Sequence, residues 1–505
     1  MARKIILRQI RELKSLRKFS TSNFLKNREY IIKSPITDIV MPKMRFIDRL
    51  WLHFGAFPDH VAIECAETKK SYTYTQVRKN MAVFATSLRK KLGLKENDVV
   101  VALLPNCPEF PVIAFGTIQA GCIFSPVNPI YKEMEISHQV SLTEPKVVIT
   151  IPECYENVMK GLKMAKREAK IVIIDNPNTA IPDGSIRYTE IAESGEADFD
   201  LLDKVEKKND DVAFIPFSSG TTGLPKGVEI SYKNLIAGME IMSSEENRFP
   251  DLTNAILLGK HPDVTKEYFK NMRYIVCGAA PLASSDVKAI LEKGNGKMEF
   301  SQGFGATETT SLATTIYKGE KDIDYSGCGK PLASTELMFL DPISGKPVPY
   351  GESGELCIRS PSVMKGYHKN EAATKESITE DGFFRTGDLG HYDMRYGLIV
   401  TDRIKELIKV KGMQVAPAEL ESILRSHPAV QDAAVIGVPH DFNGEAPKAF
   451  IIKKNGQNAS PEELQTFVSK KVASFKKIEE VVFVNDIPKT STGKILRKEL
   501  KKMYA

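Results

Sequence analysis

The chain has 505 residues, 42% hydrophobic and 27% charged, a globular composition that excludes a mostly disordered or fibrous protein. At roughly 150 residues per domain, this length allows two to four domains. The net charge of +6 is divided between the N-terminal segment and the last fifth of the chain, which argues against one concentrated nucleic-acid surface.

Residues 1–35 differ in character from the rest of the chain. Arg3, Lys4, Arg8, Arg11, Lys14, Arg17 and Lys18 share a stretch whose only acid is Glu12, while Ile6, Ile10, Leu13 and Leu16 recur at helical spacing. With Ser20 and Ser22 just after it, the pattern fits a mitochondrial transit peptide and equally a solvated basic tail. The end of the chain, Met503-Tyr504-Ala505, lacks a Ser-Lys-Leu type of peroxisomal address. Seven scattered cysteines without a Cys-x-x-Cys pair point to reduced thiols inside a cell, and eight histidines without ligand spacing argue against structural zinc. No stretch reaches the roughly 18 apolar residues of a membrane span; residues 112–127 read as buried helix and strand.

From residue 61 to about 400, short β-rich runs alternate with helical patterns, as in an α/β architecture. Residues 99–104, 146–151, 170–175, 212–217 and 274–277 read as strands, and 77–92 as a helix. The texture changes at Thr401 or Asp402. A basic stretch, 403–411, leads to Gly412 and to a helix opened by Pro417 that buries Leu420, Ile423 and Leu424. Strands at 433–438, 448–452 and 481–484 and a helix at 461–472 complete a compact α+β unit of about 100 residues. The division is a basic extension over 1–35, a large domain over 36–400 and a small domain over 401–505.

The densest local signal is Ser218-Ser219-Gly220-Thr221-Thr222-Gly223-Leu224-Pro225-Lys226-Gly227, placed after a strand. Hydroxyls, glycines and one lysine suit a loop wrapped around polyphosphate, because backbone N–H groups approach the oxygens without interference from Cβ atoms. A P-loop needs Gly directly before Lys and a helix directly after; here Pro225 precedes Lys226 and a strand comes next. An inert Gly/Ser hairpin is the plainer alternative.

Here the sequence resembles the adenylate-forming, AMP-binding superfamily, in its 4-coumarate–CoA ligase, acyl-CoA synthetase and luciferase-like branch. The resemblance covers nearly all of residues 45–500 and rests on several motifs in order. It implies an α/β fold with a large N-terminal domain of stacked α/β sheets plus a small β-barrel-like part, and a small mobile α+β C-terminal domain.

The resemblance assigns roles to further residues. In Gln302-Gly303-Phe304-Gly305-Ala306-Thr307-Glu308 it implies that Phe304 stacks near adenine, Thr307 contacts the α-phosphate and Glu308 helps hold Mg²⁺, a hard ion suited to carboxylate oxygen. Gly278, Ala279 and Ala280 match the adenine-lining loop. Asp388, in Arg385-Thr386-Gly387-Asp388-Leu389, matches the carboxylate that accepts both ribose hydroxyls. In the linker, Arg403 would touch the ribose, Lys405 would be the hinge, and Lys409 and Gln414 match residues used in the thioester and adenylate conformations. Lys494, in Pro488-Lys489-Thr490-Ser491-Thr492-Gly493-Lys494, matches the adenylation lysine, whose ammonium relieves repulsion between carboxylate and phosphate. Ser491 and Lys494 also satisfy Ser-x-x-Lys, but Ser-Asp-Asn and Lys-Thr-Gly are absent, which disfavours a serine acyl-enzyme.

The implied activity is an ATP-dependent acid–CoA ligase that uses ATP, Mg²⁺ and coenzyme A on a small-molecule carboxylic acid, fatty or aryl. The absence of a carrier-protein domain favours free coenzyme A. The resemblance breaks between residues 234 and 272, where an internal deletion of something over one βαβ unit, itself roughly 30 residues, removes strands and part of the acyl pocket. Such a loss exposes a sheet edge and apolar surface. A catalytically silent or truncated nucleotide-binding variant is therefore the competing expectation. Tyr232, where relatives often carry His, is a lesser departure.

Overall fold

The run Val99–Leu103 is buried at all five positions, and a strand apolar on both faces belongs in the middle of a covered sheet. The structure, a computed structural model, describes residues 30–52, 54–174, 180–218, 225–244, 265–270, 272, 274–278, 284–294, 298–320, 323, 325–411, 413–440, 442–489 and 495–504. In it β1 (Val99–Leu103) lies between β2 (Ile123–Val127) and β3 (Val147–Thr150), parallel to both, and β4 (Lys170–Ile173) extends the sheet beyond β3. Beyond β2 come β5 (Val212–Phe214), β6 (Phe217–Ser218) and β7 (Lys226–Ser231), with β7 antiparallel to both β5 and β6.

Helices cover both faces of this sheet. Val100 and Ala102 pack with α1 (Tyr74–Lys90) and α2 (Glu109–Gln119), while Val99, Val101 and Leu103 pack with α3 (Glu133–Thr143) and α4 (Tyr155–Ala165). The two-residue period of the strand thus assigns alternate side chains to opposite helical layers. Each fully buried Val or Leu contributes about 1.5–3 kcal/mol relative to exposure. A capping box starts α1, in which Thr73 Oγ1 accepts from the Gln76 N–H and the Gln76 side chain accepts from the Thr73 N–H.

Residues 212–217, expected as one strand, form two. Ile215 N–H donates to Phe124 C=O, whereas Val228 N–H donates to Pro216 C=O, so the chain turns at a proline that has no N–H for the ladder. The helix expected at 461–472 ends at Ser469.

After β7 the helix α5 (Tyr232–Ser243) begins with a reciprocal Ser231–Asn234 cap. A second sheet places β8 (Tyr274–Cys277) parallel to β9 (Glu299–Gly305), with β10 (Leu312–Thr315) antiparallel to β9, and α6 (Ser284–Lys293) contributes Val287 and Ile290 to its core. Among the described residues β8 is an edge strand of this sheet, with Lys330–Pro331 at the other edge. A third, antiparallel sheet contains β11 (Glu336–Leu340), β12 (Gly354–Arg359), β14 (Phe384–Asp393) and β15 (Gly397–Arg403), joined at its edge by Ile32–Lys33. The short strand between these, β13 (Gly366–Tyr367), pairs instead with β7 of the first sheet.

The C-terminal unit orders its sheet as β17 (Met413–Val415), β16 (Ile408–Val410), β19 (Gly444–Lys453) and β18 (Val430–His440), with β20 (Glu480–Phe483) parallel to β19. The helices α7 (Pro417–Arg425) and α8 (Pro461–Ser469) bury Leu420, Leu424, Leu464 and Val468 against it, with Ile423 half-buried beside them. The last helix, α9 (Arg497–Tyr504), buries Leu500 against the opposite cluster around Phe450. The large sheet-containing N-terminal domain and the α+β C-terminal domain expected from the sequence are both present.

Candidate active site

The glycine-rich segment spans a hairpin whose strands pair Phe217 with Gly227 and Ser218 with Lys226. Ser219, Gly220, Thr221, Thr222 and Gly223, between these strands in sequence, lie outside the described residues. Its base is held from the side: His138 Nε2, on α3, donates to Pro225 C=O at 2.8 Å, and the His138 ring stands edge-on to Phe217. Space at Gly227 is tight, since a Cβ there would lie 3.0 Å from Ile215 Cγ2 and 3.2 Å from His368 Cβ.

The parallel pairing of β8 with β9 sets Cys277 opposite Gln302, which brings Gly278 beside Gly303: a Cβ on Gly278 would lie 3.8 Å from Gly303 C=O. Two motifs far apart in sequence thus meet at one end of a sheet. Ala279 and Ala280 lie outside the described residues. Gln302 is buried and its amide donates to Tyr325 C=O. Gly303 and Gly305 face β10 closely, with Cβ positions 2.7 Å from Thr314 C=O and 2.8 Å from Ser311 C=O. Phe304 is half-buried.

The strand ends in a 3₁₀ turn, Thr307–Thr309, with Thr310 after it at a positive φ of 61°. This left-handed backbone is uncommon for a β-branched residue. Glu308 is only 8% exposed; its Oε1 accepts from the Tyr367 hydroxyl at 2.9 Å, and its C=O accepts from Met364 N–H. Lys226 Nζ stands 4.7 Å from the centre of the Tyr367 ring. Burial and the neighbouring Glu308 push the Tyr367 phenol far above its usual range, with Ser218 acting in the opposite sense. The Ser218 hydroxyl, close to that phenol, and the Thr310 hydroxyl are buried without a hydrogen bond of normal geometry among the described residues.

Asp388 is buried in β14, and its Oδ1 lies 3.0 Å from Arg403 Nε on β15. Its N–H donates to Thr386 Oγ1 at 3.0 Å, and Gly387 supplies a φ of 73° just before it. The Thr-Gly-Asp motif is therefore part of a distorted strand. Lys405 is exposed in the 3₁₀ turn Ile404–Glu406. Lys409 and Gln414 are backbone register partners in the β16–β17 pair, and Lys409 is exposed. Lys494 lies outside the described residues. The stems flanking its loop are closed by Leu496 N–H donating to Pro488 C=O and by a Lys489–Ile495 bridge.

Sequence reasoning missed Tyr367, His138 and Arg497. Arg497 Nη1 and Nη2 lie 2.5 Å from Glu406 and 2.6 Å from Glu421, which binds the start of α9 to the turn holding Lys405 and to α7. No local pattern marks these residues, because each acts through pairing across long sequence separations. Tyr232 is buried, and its hydroxyl donates to Ile118 C=O. An aromatic with a hydrogen-bonding tip fits that place.

Among the described residues no group of three or more His, Cys, Asp or Glu side chains is placed to hold a metal, none of the cysteines forms a disulfide, and no helix is long and apolar enough to cross a membrane. A cleft of about 520 Å³ opens beside the hairpin, between Phe217, Asn128, Tyr131 and Gln139.

The model of the AMP-binding enzyme family matches residues 51–254 and 247–368, and that of the AMP-binding enzyme C-terminal domain matches 419–494. 4-Coumarate–CoA ligase 1 of Arabidopsis thaliana is 32% identical over 545 residues, covering 95% of this chain and 96% of its own. 4-Coumarate–CoA ligase 2 of Nicotiana tabacum is 31% identical over 546 residues, covering 95% and 98%. Among solved structures, ATP-bound MatB from Rhodopseudomonas palustris superposes with a TM-score of 0.80 at 25% identity, covering 91% of this chain and 99% of that one. The anthranilate CoA ligase AuaEII, with anthranoyl-AMP, shares the fold at a TM-score of 0.76 and 23% identity. The chain belongs to the adenylate-forming AMP-binding enzymes, as a homologue of the 4-coumarate–CoA ligases.

Proposed function

We propose that this protein is an ATP-dependent acid–CoA ligase that activates a fatty or aryl carboxylic acid as acyl-AMP and passes the acyl group to coenzyme A. The observation that carries the reading is the convergence of the hairpin residues Ser218 and Lys226 with Glu308 around the half-buried Tyr367. Around this point the assigned roles are mutually compatible. The hairpin binds the polyphosphate, Thr307 contacts the α-phosphate, and Gly278, Ala279, Ala280, Gly303 and Phe304 surround the adenine. Asp388 and Arg403 take the ribose. Mg²⁺, held by Glu308 together with phosphate oxygens, would neutralise charge on the departing pyrophosphate; one carboxylate suffices for an ion that takes most of its ligands from phosphate and water.

In the first half-reaction a carboxylate oxygen attacks the α-phosphorus, and pyrophosphate leaves as the new P–O bond forms. Lys494 bridges the two anions, a contribution of charge and position. The domain beginning near residue 401 then turns about Lys405, presenting Lys409. In the second half-reaction the thiol sulfur of coenzyme A attacks the acyl carbon, its proton is lost, and AMP leaves with the electron pair of the broken C–O bond.

A second reading, a silent nucleotide-binding variant, is favoured by the short interval 234–272. The two family matches overlap at 247–254, and the alignment with the Arabidopsis ligase is 545 residues long against a chain of 505, so it opens gaps in this chain. Pyrophosphate release from purified protein with ATP, Mg²⁺ and a panel of fatty and aryl acids separates the readings. Release with any acid supports the ligase; ATP binding without release from any acid supports the silent variant.

A further inference from the structure

Tyr367 belongs to none of the motifs that mark the site, yet it touches two of them. It is held at both flanks: Met364 N–H donates to Glu308 C=O and His368 N–H donates to Gly227 C=O, both at 2.8 Å, while Tyr367 itself is the register partner of Val228 on β7. The strand Gly366–Tyr367 thus straps the outgoing arm of the glycine-rich hairpin to the turn carrying Glu308. We propose that Tyr367 is a positioning residue of the nucleotide site: its hydroxyl fixes the Glu308 carboxylate for a nucleotide-bound divalent cation, and its ring seats the Lys226 ammonium. The proposal rests on the ligase reading of this site.

The two contacts divide the work of one side chain. The hydroxyl bond occupies Oε1 of Glu308 at 2.9 Å and leaves Oε2 without a hydrogen bond from the described residues. A carboxylate held at one oxygen cannot rotate freely, so its second oxygen is presented in a single direction without an ordering cost when the cation arrives. The ring lies 4.7 Å from Lys226 Nζ, close enough for cation–π attraction to hold the ammonium at the base of the loop.

The test uses the full chain and two variants, with ATP affinity measured calorimetrically in excess Mg²⁺ and in EDTA and with folding checked by thermal unfolding. Tyr367→Phe keeps the ring and loses the hydroxyl. It is expected to weaken ATP binding about 10-fold or more in Mg²⁺, the loss of a hydrogen bond to a charged group, and to leave binding in EDTA unchanged. Tyr367→Leu loses both contacts and is expected to weaken binding in both media. In a Glu308→Gln background, Tyr367→Phe is expected to add nothing. A purely structural role would weaken both media alike in the Phe variant, and that result overturns the proposal, as does unchanged affinity in Mg²⁺. Wild-type binding that is indifferent to Mg²⁺ overturns the metal role of Glu308 and the proposal with it, whereas normal Mg²⁺ enhancement retained in Tyr367→Phe overturns the proposal alone.

Discussion

Arg403 and Asp388 face each other across the β14–β15 ladder, with Arg403 Nε 3.0 Å from Asp388 Oδ1. The carboxylate is 8% exposed and the guanidinium side chain 34%, so the pair is a buried acceptor steadied by a cation at the rim. Arg403 lies two residues before Lys405. A ribose that bonds to Asp388 finds its acceptor already oriented.

From this pairing, Asp388→Ala is expected to weaken ATP binding by about 10–100-fold, the loss of charge-assisted hydrogen bonds. Arg403→Ala, which leaves the carboxylate in place, is expected to cost less. Calorimetric titration of both variants with ATP checks the order; a larger loss for Arg403→Ala would contradict the assignment of Asp388 as the direct ribose acceptor.

The two lysines of the C-terminal domain are expected to separate by half-reaction. Lys494→Ala should remove acyl-AMP formation by a factor of about 100 or more, as expected for a group that stabilises developing charge. Lys409→Ala should leave acyl-AMP formation near normal and slow transfer to coenzyme A. Pyrophosphate release read separately from acyl-CoA production decides it, and equal loss in both steps for both variants would refute the division.

Stability should respond to Asp402, whose Oδ2 accepts Ala418 N–H at the start of α7 and whose Oδ1 accepts Arg403 N–H. Burial pushes its carboxyl from 3.8 up to about 6, against the opposing pull of those N–H groups and of Arg497. Between these values the folded chain keeps a proton that the unfolded chain releases. The contribution to stability is therefore fully present below about pH 4 and is lost as pH rises to about 6, a change of about 3 kcal/mol. The unfolding midpoint of wild type, measured relative to Asp402→Asn, should fall across pH 4–6 and then level. A flat difference over that window would rule out the burial effect.

How far the sequence reaches is visible in particular residues. Val99–Leu103 and Tyr274–Cys277 were legible because apolar β-branched runs have few other uses. Pro417 and the spacing of Leu420 and Leu424 marked α7 for a similar reason. In Thr386-Gly387-Asp388 nothing local announces that Asp388 will find Arg403 across a ladder. Tyr367 was hidden for the same reason: its partners Glu308 and Val228 lie 59 and 139 residues away in the chain, and a Gly-Tyr dipeptide carries no sign of either.

A last expectation concerns the first sheet, away from the nucleotide. Lys70 Nζ lies 2.7 Å from Glu109 and 3.0 Å from Glu193, and Tyr72 also donates to Glu193. Glu109 is 3% exposed at the first turn of α2. Lys70→Met keeps the stem and removes the charge, which leaves a buried carboxylate unpaired; the cost is expected to be about 3 kcal/mol, seen as a lowered unfolding midpoint. Because the penalty comes from the stranded anion, adding Glu109→Gln should recover part of the loss even though it removes a second native group. Additive destabilisation in the double variant would show that Lys70 stabilises the fold through its packing, with no part played by the charge on Glu109.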